Sequence, residues 1–197
     1  MRSTHLLVCA LSLISSTALA QEPSVYSSAP PPRQGLELAL GLQGGHIACK
    51  SEMGQCDGFT EAGGGNLSAS YFFSPSFGVA VDLWAMSHRD NGFTFTHYVN
   101  TVAARWRPIP ILTLTAGIGE AHASLGNENR NLVVESDDGF AIMGAASLDV
   151  IRGRRWALAV ELRGGKGFYG DDKNDDGMAD VVGTNVGLGA HFAVFGF

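Results

Sequence analysis

Oxygen-bearing side chains recur at regular spacing in the acidic stretch near the carboxyl end of the chain. The candidate donors are Asp172, Asn174, Asp176 and Asp180. They match positions one, three, five and nine of a calcium-binding loop, and Gly177 stands where such a loop turns sharply. The twelfth position is Gly183, which cannot supply the usual bidentate carboxylate. The stretch therefore predicts either a partial calcium site or a solvated acidic loop tip.

A second set of residues suits nucleophilic hydrolysis. His122 and Ser124 are two residues apart at the end of a predicted strand, and Glu135 follows in the next connection. A serine that is activated by histidine and oriented by an acid can cleave an acyl ester. A histidine and a serine at this spacing also arise by chance, so we expect a non-enzymatic protein and keep hydrolysis as the alternative.

The amino-terminal residues indicate export. Arg2 precedes an apolar run over residues 6–14, and Ala18-Leu19-Ala20 forms a small-residue cleavage site, so residues 1–20 are predicted to be a secretory signal peptide. Cys49 and Cys56 then lie in an oxidising compartment and are expected to form a disulfide. Residues 21–34 contain four prolines and several serines, which predicts a flexible or extended leader.

The rest of the chain is organised by strict alternation of apolar and polar residues. In residues 35–44 the leucines Leu36, Leu38, Leu40 and Leu42 alternate with Glu37, Ala39, Gly41 and Gln43. Side chains alternate faces along a strand, so one face is apolar and the other is not. About eight such strands follow one another, which predicts one all-β domain over residues 35–197.

The connections between these strands alternate in length. The short ones are residues 74–76, 108–110 and 152–155, whereas residues 46–63, 124–139 and 170–180 form long connections. The exception is residues 89–92, a tight connection on the same side as the long ones. Thirteen of the 19 acidic residues lie in these four. No mature segment has about 18 consecutive apolar residues, so only a closed barrel could cross a membrane. The pattern predicts an eight-stranded antiparallel up-and-down transmembrane β-barrel.

The polar face of each strand would then line a narrow interior. The predicted interior charges are Glu37, Asp82, Arg105, Asp149, Glu161 and Arg163. Buried charges are costly unless they are paired, so we expect the four acids to pair with the two arginines. The alternative is a secreted soluble ligand-binding barrel with its apolar faces inside. Glycine, alanine and serine would line such an apolar cup poorly.

Composition narrows the class of function. Charged residues make up 16% of the chain and the pI is about 5.4, which argues against nucleic-acid binding and suits strands facing lipid. Side chains fill the interior of an eight-stranded barrel, so general solute diffusion is not expected. We expect a monomer with a structural or loop-mediated interaction role, with no cofactor apart from the candidate calcium.

Residues 35–197 resemble the small OmpA/OmpX-like outer-membrane β-barrel family, which usually ends in an aromatic residue, here Phe195-Gly196-Phe197. The resemblance implies a Gram-negative outer membrane, contact with lipopolysaccharide, insertion by the barrel-assembly machinery, extracellular loops and a periplasmic leader. The last strand departs from the pattern, because Val186, Leu188 and Phe192 have the opposite parity from the terminal phenylalanines.

The hydrolytic set carries its own resemblance. His122-Ala123-Ser124 is similar to the His-x-Ser element of lipid A 3-O-deacylases, which would make this barrel a lipid A-modifying hydrolase. The asparagine expected after the serine is replaced by Leu125.

Overall fold

The alternating segments form long antiparallel strands. The computed structural model describes residues 33–50, 58–127, 132–135, 138–169 and 182–196. The strands are β1 Gly35–Lys50, β2 Gly58–Phe72, β3 Phe77–Asp90, β4 Phe93–Ile109, β5 Leu112–Asn127, β6 Leu132–Glu135, β7 Gly139–Arg152, β8 Trp156–Phe168 and β9 Val182–Phe195. Within these ranges there is no helix, and hence none that could span a membrane.

Eight of the strands close into a barrel. Their order is β4-β3-β2-β1-β9-β8-β7-β5, and β4 also pairs with β5, so every wall strand has two antiparallel neighbours. The fold class predicted from the alternation is therefore confirmed. The remaining strand, β6, is not part of the closed wall. It pairs only with the last residues of β5, where Ser124 lies opposite Glu135. It extends the sheet beyond the point at which β7 begins.

Two ends of the barrel can be told apart by their connections. Residues 73–76, 110–111 and 153–155 join strands at what we call the turn end, where β1 also begins. The opposite end, here the loop end, carries the remaining connections. One of these is the two-residue turn Asn91-Gly92, in which both residues have positive φ. This is the geometry that favours Asn-Gly in a tight β-hairpin.

The apolar face of the strands points out of the barrel. Along β1, Leu40 and Leu42 are 59% and 72% exposed, whereas Glu37 is 3% exposed on the opposite face. Every wall strand repeats this division, and the apolar outer belt ends in stacked aromatic pairs. Phe77 stacks on Trp106 at the turn end, and Phe140 stacks on Phe168 at the loop end. An apolar cup inside a polar shell, as in a soluble ligand-binding barrel, is the reverse of this arrangement.

Several boundaries differ from those predicted. Strands β1 and β2 extend to Lys50 and from Gly58, well into the predicted loop over residues 46–63, and β6 lies inside the predicted loop over residues 124–139. Near the end of β4, the register with β5 shifts between Trp106 and Ile109. In β9, Phe192 faces outward and Phe195 inward, so the last strand keeps one uninterrupted parity.

Candidate functional site

The most developed polar site is an ion network in the middle of the barrel. We use this name for Glu37, Asp82, Arg105, Arg107, Glu161, Arg163 and His191. Arg105 donates from Nη1 to Glu37 Oε1 at 2.6 Å and from Nη2 to Ser68 Oγ at 2.9 Å. Arg107 donates to the other oxygen of Glu37. One carboxylate thus binds two guanidinium groups.

The second half of the network is centred on Arg163. This guanidinium binds both oxygens of Asp82, with Nη2 to Oδ2 at 3.1 Å, and its Nε donates to Glu161 Oε1 at 3.0 Å. His191 Nδ1 lies 3.0 Å from the other oxygen of Glu161. Asp82 is also 3.6 Å from Arg105 Nη2, which joins the two halves. Three guanidinium groups therefore face three carboxylates, and the buried charges balance.

Small residues beside the long charged ones make this packing feasible. The strand neighbours of Arg105 are Gly78 and Thr115, and those of Arg163 are Ala145 and Gly187. A barrel of eight strands has room for interior side chains only if large and small residues alternate around it. The glycine-rich inner faces of the strands are therefore what admits the charged side chains.

Asp149, a predicted member of the interior network, belongs to a different group. Its Oδ2 lies 3.2 Å from Arg33 Nη1 and 3.0 Å from Arg152 Nε. The expectation had paired it with Arg105 or Arg163. The difference arises because Arg33, which precedes β1 and was assigned to the leader, reaches into the turn end of the barrel.

Arg33 is part of a mouth cluster at the turn end, which comprises Arg33, Phe72, Arg107, Asp149 and Phe195. The Arg33 guanidinium lies 3.7 Å from the centre of the Phe195 ring, and that of Arg107 lies 3.5 Å from the centre of the Phe72 ring. Burial, reinforced by Arg152, lowers the pKa of Arg33 to about 10, while Asp149 opposes that shift. The side chain therefore stays charged at neutral pH.

An apolar outer plug fills the lumen on the other side of the ion network. It consists of Ile47, Trp84, Met86, Val99, Ala121, Ala141 and Met143, and the same apolar cluster continues beside the ion network through Ala80 and Ala103. Trp84 crosses the lumen, since a Cβ added to Gly165 on β8 would meet its ring at 2.8 Å. Arg163 lies 5.5 Å from the same ring. The lumen is thus filled by a charged layer and an apolar layer in series.

Two residues of the predicted hydrolytic set, His122 and Ser124, lie on the outer face of β5, near the loop end. His122 Nδ1 is 3.3 Å from Asp138 Oδ1, and the His122 ring lies 6.3 Å from that of Tyr98. Ser124 faces the same way, and the backbone register sets Glu135 opposite it. Sequence reasoning proposed Glu135 as the acid and missed Asp138, the carboxylate that contacts the histidine.

Other predicted sites fall outside the described residues. These are the signal peptide, most of the leader, the candidate calcium residues Asp172, Asn174, Asp176 and Asp180, Cys56, and the side chain of Cys49. Within the described ranges, no group of three or more His, Cys, Asp and Glu side chains is arranged to hold a metal ion. Sequence reasoning also missed Arg107 and His191, whose inward parity was readable but whose partners depend on the closed register.

The barrel superposes on solved structures of small outer-membrane proteins. The Yersinia pestis attachment invasion locus protein Ail superposes with a TM-score of 0.52 and 16% identity, over 81% of this chain and 99% of Ail. Neisserial surface protein A superposes with a TM-score of 0.58 and 15% identity, over 81% of this chain and 97% of that one. The fold is that of the small outer-membrane β-barrels. This outcome confirms the family resemblance at the level of architecture.

Comparisons based on the sequence alone identified no relatives. No family model matches the chain, and no match was found among the curated proteins. The superpositions cover nearly all of the two solved chains, but sequence identity is low. The barrel architecture is therefore shared, whereas most side chains inside and outside the barrel differ.

Proposed function

We propose that this protein is an outer-membrane β-barrel whose role is structural or mediated by its loops, in envelope integrity, adhesion or contact with surface cations and lipopolysaccharide. The supporting observation is the division of the wall: an apolar belt with aromatic rims faces outward, and the charges are enclosed. Only a surrounding lipid phase makes that division favourable, because exposing the belt to water would forfeit its burial.

The same proposal covers orientation and assembly. The loop end would face the cell exterior and the turn end the periplasm, as short periplasmic turns and long outer loops alternate in such barrels. The protein would be inserted by the barrel-assembly machinery and act as a monomer. Ail is described by name as an attachment and invasion protein, which supports an adhesive role for loops displayed on this architecture.

Membrane fractionation combined with gel mobility tests this proposal. We expect the full chain in the outer-membrane fraction and a mobility difference between boiled and unboiled samples, because a closed barrel resists detergent until it is heated. Recovery in the soluble fraction, with identical mobility before and after boiling, would contradict the membrane assignment.

The predicted acidic loop over residues 172–180 would provide the proposed cation contact. A fluorophore attached near that loop is expected to respond to calcium with a saturable change in the millimolar range, and the paired change of Asp172→Asn with Asp176→Asn is expected to abolish the response. A wild-type protein that gives no saturable response removes calcium from the proposal and leaves the barrel assignment intact.

A second candidate function is hydrolysis of a lipid acyl ester, which the contact between His122 and Asp138 favours. Asp138 would orient the imidazole of His122, which would take the proton of Ser124 as its Oγ attacks the ester carbonyl. The ester C–O bond then breaks, the lipid alcohol leaves with that proton, and water hydrolyses the acyl-enzyme to release the fatty acid. Mass spectrometry of lipid A is the test. Loss of one acyl chain in cells expressing the wild type, but not Ser124→Ala, supports this function, and complete acylation in both rules it out.

A further inference from the structure

Arg33 binds three wall strands and one turn although it belongs to no strand. Its Nη1 contacts Asp149 of β7 at 3.2 Å, and its Nη2 donates to the carbonyl oxygens of Gly153 at 3.4 Å and Trp156 at 3.2 Å. Its own carbonyl accepts a hydrogen bond from Arg107 Nη1 of β4 at 3.3 Å. A single residue ahead of β1 therefore connects distant parts of the turn end.

The approach of the chain to this position depends on Gly35. Gly35 has φ of +92°, a conformation that side-chain-bearing residues rarely adopt, and no atom lies within 4 Å of a Cβ placed there. β1 thus begins with a bend that turns the preceding residues across the mouth of the barrel. The Arg33 side chain is only 8% exposed as a result.

A polar cavity lies directly behind the mouth cluster. Arg105, Thr115, Ser147 and His191 line it, together with mouth-cluster members Arg107, Asp149 and Phe195. Arg105 Nε and His191 Nε2 are buried there without a hydrogen-bond partner, although each is a strong polar group. Such groups are normally satisfied by protein or by water. The cavity is therefore polar and has room for about one water molecule.

Arg33 is the component of the closure that can leave without breaking the barrel. Phe72, Asp149 and Phe195 are paired in strand ladders, and the backbone N–H of Arg107 donates to the carbonyl oxygen of Ser76. Arg33, in contrast, precedes the first rung, the pair Gly35–Phe72. Releasing Arg33 would break side-chain contacts and one hydrogen bond to its carbonyl. All strand pairings would remain.

We propose that Arg33 is a latch over the polar cavity: when it is seated it restricts entry from the turn end, and when it is released water and small polar solutes enter through the space that its guanidinium leaves. The outer plug keeps the loop end closed in both states. The proposal concerns the barrel alone and does not depend on the roles assigned to the loops.

Thiol modification of the purified full-length barrel in detergent micelles tests the latch. In a background with the native cysteines replaced by serine, Ser147→Cys reports on the cavity through its rate of reaction with a small charged methanethiosulfonate. We expect Arg33→Ala to raise that rate about tenfold, which corresponds to about 1.4 kcal/mol less for opening. Arg154→Ala is the matched control, since Arg154 is an exposed arginine in the adjoining turn and should leave the rate unchanged.

Three further variants separate the latch from general loosening. Gly35→Ala should accelerate the reaction in the same direction as Arg33→Ala, and Arg33→Lys should give an intermediate rate, because lysine keeps the charge but cannot form the same fork of hydrogen bonds. Met143→Cys, in the outer plug, should react equally slowly in every background. Equal Ser147→Cys rates in the Arg33 and Arg154 variants, or parallel acceleration at Met143→Cys, would overturn the proposal.

Discussion

Arg163 is an interior side chain whose substitution is expected to lower the stability of the barrel strongly. It is 1% exposed and binds Asp82 and Glu161, so its removal leaves two buried carboxylates without their cation. We predict that Arg163→Met lowers the free energy of unfolding by about 3–5 kcal/mol, the cost of breaking one side of a buried ion pair. Urea titration of the folded barrel in micelles or vesicles measures it.

A second substitution, at Asp82, distinguishes the loss of charge pairing from the loss of packing. Asp82→Asn combined with Arg163→Met should recover part of the lost stability, because the amide is neutral and leaves fewer uncompensated charges. The exposed Arg154→Met serves as control and should change stability by less than about 0.5 kcal/mol. A double variant as unstable as the sum of the two single variants would show that Arg163 acts through packing alone.

A glycine pair near the loop end makes a second prediction at this scale. Gly183 and Gly167 are paired across β8 and β9, and the fully buried ring of His97 lies on them, with Nε2 2.5 Å from a Cβ built on Gly183. Gly183→Ala should therefore destabilise the barrel by about 1–3 kcal/mol through overpacking. His97→Ala in the same chain should relieve the clash, and unfolding titrations of the two single variants and the double variant decide it. Independent, additive effects would contradict the contact.

Strand β1 shows how the environments of its two faces determine which residues each face can carry. Its outward residues are leucines as far as Leu42, after which Gly44 is exposed with no atom near its Cβ direction. We predict that Leu40→Arg costs about 2–4 kcal/mol when the barrel is folded into lipid vesicles, and Gly44→Arg about 0–1 kcal/mol, since the cost of a charge falls from the bilayer midplane towards its edge. Equal losses of folding free energy for Leu40→Arg and Gly44→Arg would contradict the position of the apolar belt along β1.

The strands were predictable where one face is apolar and points outward while the other lines the crowded interior, as in Leu36 to Gln43. In such strands apolar and polar residues alternate in the sequence. β6 was not predictable in this way. Leu132-Val133-Val134-Glu135 shows no alternation, and its pairing with β5 rests on backbone hydrogen bonds beyond the point where β7 begins. For the same reason the extension of β1 to Lys50 was missed.

The interior was predictable as a set of residues but only in part as a set of contacts. Parity alone places Arg105, Asp82 and Arg163 inside, yet it does not say which acid meets which base. The ion-pair partner of Asp149 was not predictable, because Arg33 precedes β1 and has no strand parity to read. Phe195 points inward against Arg33, so the terminal aromatic pattern by itself did not reveal the orientation of the last strand.

At the scale of the whole molecule, three groups of side chains lie in series along the lumen in the part of the barrel that the structure describes. The mouth cluster lies at the turn end, the ion network in the middle and the outer plug towards the loop end, and each draws its side chains from several strands. Barrels of eight strands have interiors that side chains can fill completely. Closure is therefore distributed, and no single residue is the gate of a through-going pore.

Series closure makes a prediction for ion conduction. Wild type, Arg33→Ala and Trp84→Ala should each show no steady conductance in planar lipid bilayers, because removing one layer leaves two others occluding the lumen. Arg33→Ala should nevertheless react faster at Ser147→Cys, so entry into the cavity and passage through the barrel are separable measurements on the same protein. Folding of every variant is checked by the mobility of unboiled samples. Steady single-channel steps in the wild type, or in either single variant, would mean that the layers do not occlude independently and that a continuous water path already runs beside Trp84.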